Sequence, residues 1–165
     1  MNLELERNTR LFNTPLEISL RTLFILTKFF PKDLELETLI YLDYFAVHSN
    51  DLRGGPQSLH PKYPFRSSEI VVKRDILQKG LIYLISKELV EIKLADEGIK
   101  YAATNIGRNI ISLFDSRYAK GLSLICNWLF ERFYDLSEND LKKIVDTNIE
   151  KWGGEFSNEA RFRSI

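Results

Sequence analysis

Residues 41–69 read YLDYFAVHSNDLRGGPQSLHPKYPFRSSE and predict the end of one amphipathic helix, a long connection and the start of another helix. A structureless connection of this length is uncommon inside a compact domain and is usually functional or disordered. Gly54-Gly55-Pro56 predicts a tight turn that needs a positive φ. The connection also carries apolar anchors, which are Leu52, Leu59, Tyr63 and Phe65. We therefore expect an ordered loop over 49–66, inserted between two helices of one domain.

Composition limits the class of protein to which the chain belongs. Lys plus Arg and Asp plus Glu number 23 each, which argues against a dedicated nucleic-acid binder. The single Cys126 forms no intrachain disulfide and suits a reducing compartment. The N-terminus lacks the regions of a signal peptide, and no apolar run approaches the roughly 18 residues of a membrane span. We expect a soluble cytoplasmic protein with no membrane partner.

The first helix is predicted from Thr14-Pro15-Leu16-Glu17, where Thr14 caps the helix, Pro15 takes its first position and Glu17 completes a capping box. It should run to about Phe30, before Pro31. Its apolar residues spread over more than one face, so the helix is either sandwiched in a core or meets a partner. The polar residues before it, 1–10, are expected to form an arm.

Two further helices flank the loop. Asp33 is expected to cap the second, which ends near His48-Ser49, and Ser67 or Ser68 is expected to cap the third. Gly80 lies inside the third helix and costs roughly 1 kcal/mol of helix stability relative to alanine. It marks either a close helix crossing or a break.

A β-hairpin follows the third helix. Residues 89–94 alternate apolar and charged side chains, 95–98 form a turn, and 99–103 return. Thr104, Ser116 and Ser137 then begin further helices, the first through Phe114. The predicted fold class is mainly α with a small β-hairpin. It comprises a winged-helix-like domain over 11–104, C-terminal helices over 105–154 and a tail over 155–165.

A winged helix that reads DNA places its third helix in the major groove. The residues of that helix that could contact bases are Lys73, Arg74, Gln78 and Lys79. The hairpin turn, however, carries Asp96 and Glu97, and carboxylates there repel phosphates. We therefore favour contact with protein and keep a DNA-binding regulator as the alternative.

Both histidines of the chain, His48 and His60, lie in the 41–69 stretch with Asp43 and Asp51. Their spacing matches no metal-ligand motif and no nucleophile motif, so we interpret them as residues that hold the loop in shape. Arg66 could pair with Asp43, Asp51 or Glu69 and fasten the loop to the helices. We predict no catalysis, no cofactor and no bound metal. Tyr63 and Phe65 either contact a partner or fold inward.

A series of short motifs extends over roughly 11–136. Those around the first two helices are Leu11-Phe12-Asn13-Thr14-Pro15-Leu16-Glu17, Leu42-Asp43-Tyr44 and His48-Ser49. Those of the loop and third helix are Gly54-Gly55-Pro56, Ser58-Leu59-His60-Pro61, Arg66-Ser67-Ser68-Glu69, Lys73-Arg74 and Gly80-Leu81. The last are Lys87-Glu88-Leu89-Val90, Gly98-Ile99-Lys100-Tyr101-Ala102-Ala103-Thr104 and Tyr118-Ala119. Together they resemble the middle-component proteins of ABC-three-component systems, in which a glycine often stands where this chain has Glu88.

The resemblance implies a non-catalytic winged-helix adaptor encoded beside an ABC or SMC-like ATPase and an effector, often a nuclease. The best-known grouping of such systems is the Lamassu type of prokaryotic antiviral and antiplasmid defence, where this subunit looks like the small C component. It would join the ATPase to the nuclease and restrain the nuclease until foreign DNA is sensed. DNA would then be contacted through the complex. Aromatic and arginine residues of the loop, which are enriched where proteins dock, agree with this role.

Overall fold

A computed structural model describes residues 14–60 and 66–148, with the backbone alone described for 66–71. The helices are α1 (Pro15–Phe29), α2 (Leu36–Val47), α3 (Arg66–Ser86), α4 (Asn105–Ile111), α5 (Arg117–Phe133) and α6 (138–148). The strands are β1 (Leu34–Glu35), β2 (Val90–Ala95) and β3 (Gly98–Ala103). The protein is mainly helical, with a small antiparallel sheet. The predicted arm, the predicted tail, Tyr63 and Phe65 lie outside the described residues.

Helix α1 is the centre of the fold. Its predicted cap is confirmed, because the Thr14 hydroxyl accepts a hydrogen bond from the Glu17 amide at 3.2 Å and Pro15 is the first helical residue. The helix contacts α2, α3, α4, α5 and β3, and it buries residues on several sides. Most of α1 is therefore sandwiched in the core, while Leu16 near its start is 57% exposed.

The sheet has three strands in the order β1-β3-β2, and one of them was not predicted. The hairpin is confirmed, with Leu94 opposite Ile99 and residues 96–97 as its turn. The additional strand β1 pairs Leu34 with Tyr101. The prediction that Asp33 caps α2 is wrong, because the chain is extended through β1 and Glu35 occupies the N-cap without a side-chain hydrogen bond.

Helix α3 begins no later than Arg66, so the prediction that Ser67 or Ser68 caps it is wrong. Gly80 marks a close crossing with α1, since a Cβ added there would lie 2.8 Å from the Ser19 hydroxyl oxygen. After α3 the chain passes through Glu88 with a φ of 59°, a left-handed conformation that glycine adopts more readily. This is the position at which the resemblance leads us to expect a glycine.

The caps of the C-terminal helices are confirmed. The hydroxyls of Thr104, Ser116 and Ser137 each accept a hydrogen bond from the backbone amide three residues on, at 3.0 to 3.1 Å. Helix α4 ends at Ile111, earlier than the predicted Phe114. The inner face of α5 includes Cys126, and burial raises the pKa of its thiol to about 12, so it is a core residue as predicted.

Two glutamates meet where α6 begins beside β1. Glu138 is half-buried next to Glu35, and this burial together with the contact between the two carboxyl groups raises the pKa of Glu138 to about 7. Lys32 makes two hydrogen bonds nearby. Its ammonium group donates to the carbonyl oxygens of Tyr134 and Leu136 at 2.6 and 3.1 Å. These contacts fasten the segment between α1 and β1 to the segment between α5 and α6.

The substitution Glu138→Gln is expected to stabilise the protein slightly at pH 8 and to have little effect near pH 5. A carboxyl whose folded pKa is raised contributes stability that is present below the unfolded pKa of 4.5 and lost as pH rises through about 7. Urea unfolding at both pH values measures the difference, with Glu131→Gln on the exposed surface of α5 as the control. A stabilisation of equal size at both pH values would contradict the assignment.

Candidate functional site

Three buried charged residues join α1, α2 and α3 beneath the loop. Asp43 and Arg21 are wholly inaccessible to solvent, and Lys73 is 2% exposed. Arg21 donates to both oxygens of the Asp43 carboxylate, from Nε to Oδ1 at 2.7 Å and from Nη2 to Oδ2 at 3.2 Å. Lys73 Nζ donates to Oδ2 at 2.6 Å. One carboxylate therefore holds three helices together through charge-assisted hydrogen bonds.

Asp43 and Arg21 remain ionised despite their burial. Burial by itself would raise the pKa of Asp43, but Arg21 and Lys73 outweigh that effect and hold the pKa far below its usual range. Burial would likewise lower the pKa of Arg21, and the Asp43 carboxylate raises it above its ordinary value. Such a cluster is costly to desolvate and becomes strongly destabilising once one partner is removed.

The cluster continues toward the surface through Glu17. Arg21 Nη1 lies 3.1 Å from Glu17 Oε1, and the Tyr118 hydroxyl donates to the same oxygen at 3.2 Å. His60 Nε2 lies 3.5 Å from Glu17 Oε1 and 3.4 Å from the Tyr118 hydroxyl oxygen. Two cations and two carboxylates thus balance, with His60 at the loop end of the network.

Burial also sets the pKa values of the two uncharged members of the network. It lowers the pKa of His60, although the Glu17 carboxylate opposes the change, so the ring is neutral at pH 7. Burial raises the pKa of Tyr118 to about 12, which keeps its hydroxyl a hydrogen-bond donor. The network is therefore a structural joint between α1, α5 and the end of the loop.

The described part of the loop has a defined backbone. Gly54 has a φ of 80°, as the predicted turn requires, and a Cβ at Gly55 would lie 1.9 Å from the Ser49 carbonyl oxygen. The Ser49 hydroxyl donates to the Pro56 carbonyl oxygen at 2.9 Å, and the Asn50 amide donates to the Ser58 hydroxyl at 3.0 Å. The loop folds upon itself at this turn.

Side chains of the loop also fasten it to the helices, as predicted. Leu52 is buried, and Leu59 packs against the core beside Gly121 of α5. Asp51 accepts a hydrogen bond from the Tyr44 hydroxyl at 3.0 Å. Arg132 of α5 donates to the Arg53 carbonyl oxygen at 3.0 Å. The 48–60 part of the loop is consequently a rigid surface of the domain.

The structure brings His48 and His60 close together, and it connects Asp43 to His60 through Arg21 and Glu17. The centroid of the His48 ring lies 4.9 Å from that of Tyr44 and 6.5 Å from that of His60. Asp43 pairs with Arg21 and Lys73, and the prediction that Arg66 pairs with Asp43, Asp51 or Glu69 stays a prediction. The side chain of Arg66 lies outside the described residues.

Sequence reasoning did not identify Arg21 as a member of the network. The signal was an arginine within the apolar sequence of α1, four residues after Glu17. Because the middle of α1 is packed in the core, an arginine there needs a buried anion. Tyr118 gave no comparable signal, since its place in the α5 stripe indicated a core residue.

Lys73 was predicted as a possible DNA contact, and its burial against Asp43 corrects that prediction. The other three residues of the set, Arg74, Gln78 and Lys79, are exposed on α3. Arg74 pairs with Glu37, and Lys79 pairs with Asp75 at 2.8 Å. Of the basic residues predicted as possible DNA contacts, only Arg74 and Lys79 are exposed, and both already pair with carboxylates.

Two exposed apolar surfaces stand out. The first, the hairpin face, consists of Ile92, Leu94 and Ile99 on one side of β2 and β3, with Leu94 84% exposed. The second, the α1–α5 groove, encloses about 460 Å³. Its lining includes Leu16, Glu17, Leu20, Phe24, Phe114, Tyr118 and Leu122. Exposed apolar surfaces of this kind typically mark contacts with other proteins.

Within residues 14–60 and 66–148 there is no group of three or more His, Cys, Asp or Glu residues placed to hold a metal ion. The same part of the chain contains no helix long and apolar enough to cross a membrane.

The fold and the network thus define a small, mainly helical protein with a fastened loop and exposed apolar surfaces. Residues 11–155 match the family described as ABC-three component (ABC-3C) system Middle Component 2, and the chain belongs to that family. This confirms the resemblance in the sequence and makes the protein a component of a multi-subunit system. Comparison with curated proteins gave no match, and comparison with solved structures gave none either.

Proposed function

We propose that this middle component is a non-catalytic adaptor that links an SMC- or ABC-type ATPase to a nuclease effector in an antiviral and antiplasmid defence complex of the Lamassu type. The observation that carries the proposal is the contrast between interior and surface. The charged side chains of Arg21, Asp43 and Lys73 pair with one another in the interior. The hairpin face and the α1–α5 groove, in contrast, expose apolar side chains. Two such surfaces suit a subunit that meets two partners.

The order of elements supports a winged-helix-like description of the N-terminal part. Helix α1, strand β1, helices α2 and α3 and the β2–β3 hairpin follow one another, and the sheet order is β1-β3-β2. In this description the hairpin is the wing. It carries an apolar face and an acidic turn, a combination suited to protein rather than to phosphate. We therefore assign the wing a protein-docking role.

The environments of three reactive side chains in the described part of the chain support a role without catalysis. Asp43 is inaccessible and hydrogen-bonded to two cations, and Cys126 is buried with its thiol protonated because its pKa is raised. His60 contacts Glu17 and Tyr118 beneath the loop. General acids, bases and nucleophiles need access to a substrate, which these groups do not have.

Co-expression with an ATPase and an effector encoded beside this chain is expected to give a stoichiometric complex that withstands moderate salt. Leu94→Asp should remove one partner, because a carboxylate replaces the most exposed apolar side chain of the hairpin face. Ala95→Asp, at the next residue and on the opposite face of β2, is the matched control and should leave the complex intact. Purification of this chain without either partner would overturn the adaptor proposal.

The isolated chain is expected not to bind duplex DNA at physiological salt. Lys73 is buried, Arg74 and Lys79 are paired with carboxylates, and the hairpin turn is acidic. An electrophoretic shift assay over a range of salt concentrations measures this. A salt-dependent shift that is lost in the double variant Arg74→Ala/Lys79→Ala would instead favour the alternative, a winged-helix DNA-binding regulator.

A further inference from the structure

The α1–α5 groove has the shape of a seat for a helix. Leu16, Leu20 and Phe24 line it at intervals of four residues along α1, a length of about 12 Å at 1.5 Å per residue. Tyr118 and Leu122 form the facing wall on α5, and Phe114 also lines the groove. Side chains at this spacing accept a partner helix that presents apolar residues at i, i+3 or i+4, and i+7.

Leu16 connects the groove to a second depression. It lines both the groove and a neighbouring concavity of about 350 Å³, where Pro15, Ser19 and Tyr83 also lie. The Leu16 side chain is 57% exposed, and Thr14 also lines both depressions. A helix that binds over Leu16 would cover this exposed side chain.

The electrostatic character of the groove follows from Glu17. Its Oε1 atom lies within 3.5 Å of Arg21 Nη1, the Tyr118 hydroxyl oxygen and His60 Nε2, and its side chain is 19% exposed. The carboxylate is partly exposed on the groove wall, and the described lining residues include no lysine or arginine. A cationic group on the occupant would therefore meet a complementary charge.

We propose that the α1–α5 groove binds an amphipathic helix of a partner subunit, one that places bulky apolar side chains along α1 and one lysine or arginine against Glu17. This inference rests on the proposed adaptor function and specifies the chemistry of one of its contacts. The occupant belongs to another subunit because the family is part of a multi-subunit system and the groove charge calls for a basic residue.

Photo-crosslinking within the co-expressed complex tests the proposal. A benzoylphenylalanine introduced at Leu16 or at Phe114 is expected to crosslink to a partner segment that contains apolar residues at helical spacing and a lysine or arginine, identified by mass spectrometry. The same group at Leu124, an exposed residue on another side of α5, is the control and should not reach that segment. Crosslinks to residues 1–13 of this chain, or to a second copy of it, would overturn the proposal.

Two further outcomes separate this inference from the adaptor function. An intact complex without a crosslink at Leu16 or Phe114 overturns the groove assignment and leaves the adaptor function standing. A failure of the chain to join any complex overturns both. In the intact case, Leu16→Asp should weaken partner binding at least about tenfold, while Leu124→Asp should not.

Glu17→Gln tests the charge separately. Glutamine keeps an oxygen that can accept from Arg21 and Tyr118, but it removes one of the two negative charges of the network, so thermal stability is measured beside affinity. Partner binding by the natural chain should weaken as salt rises, and in the variant the affinity should be lower and less sensitive to salt. An unchanged affinity and an unchanged salt dependence, in a variant with unchanged thermal stability, would exclude the proposed cation at Glu17.

Discussion

Replacing Asp43 with asparagine is expected to lower the free energy of unfolding by about 3–5 kcal/mol, because Arg21 and Lys73 would then be buried without a compensating charge. Asparagine has nearly the same shape as aspartate, so the lost free energy of unfolding comes from the missing charge and not from a cavity. Urea unfolding followed by circular dichroism measures it. The matched control is Asp75→Asn, which removes an exposed carboxylate paired with Lys79 and should cost less than about 1 kcal/mol.

A triple variant, Arg21→Met/Asp43→Leu/Lys73→Met, separates the contribution of the ion cluster from that of packing. Apolar residues of similar volume need no desolvation of charge, so this variant should recover much of the stability that Asp43→Asn loses. If the network serves only to fasten the helices, the triple variant also keeps its partners. Recovery of stability without recovery of the complex would show that the charges themselves take part in assembly.

The contribution of Asp43 also depends on pH. Since the pKa of Asp43 is lowered from 3.8 in the folded protein, its stabilisation is present above pH 4 and is lost as pH falls further. The difference in free energy of unfolding between the natural chain and Asp43→Asn should therefore narrow in strong acid.

His60 adds a separate dependence on pH. Its pKa is lowered from 6.5 in the folded protein, so protonation of His60 in the unfolded chain reduces stability as pH falls below that value.

Gly80→Leu is expected to destabilise the protein by about 1–3 kcal/mol or more, because a side chain there would enter the contact between α1 and α3. The added Cβ alone would lie 2.8 Å from the Ser19 hydroxyl oxygen and 3.5 Å from the Pro15 carbonyl oxygen. Gln78→Leu, two residues earlier on the exposed side of α3, is the control and should change stability by less than about 0.5 kcal/mol. Thermal unfolding compares the two variants.

Gly80→Ala separates steric crowding at the α1–α3 contact from the low helix propensity of glycine. Alanine gains roughly 1 kcal/mol of helix propensity, but the Ser19 hydroxyl, which donates to Pro15 at 2.6 Å, must move. Combining it with Ser19→Ala removes the clash, so the double variant should be more stable than the sum of the single changes predicts. Strict additivity would mean that Ser19 is not the residue that limits the space at Gly80.

The local features of the fold could be predicted from short stretches of sequence. Thr14, Thr104, Ser116 and Ser137 cap helices because a hydroxyl three residues before an unpaired amide is a nearby acceptor. The alternation of apolar and charged residues predicted the hairpin, and the Gly54-Gly55-Pro56 sequence predicted a tight turn with a positive φ, which Gly54 adopts. Strand β1 was not predictable in this way, because two residues pair with β3 only through a contact across the fold.

What the sequence alone determined about this protein is therefore its family, most of its helix caps, its hairpin and the turn at Gly54, since each is carried by short stretches of neighbouring residues. Only the tertiary structure decided that Asp43 pairs with Arg21 and Lys73, that Lys73 is buried and that Gly80 meets Ser19. The physical reason is that a buried charge takes its partner from whichever helices pack around it, and that packing is set by the whole core.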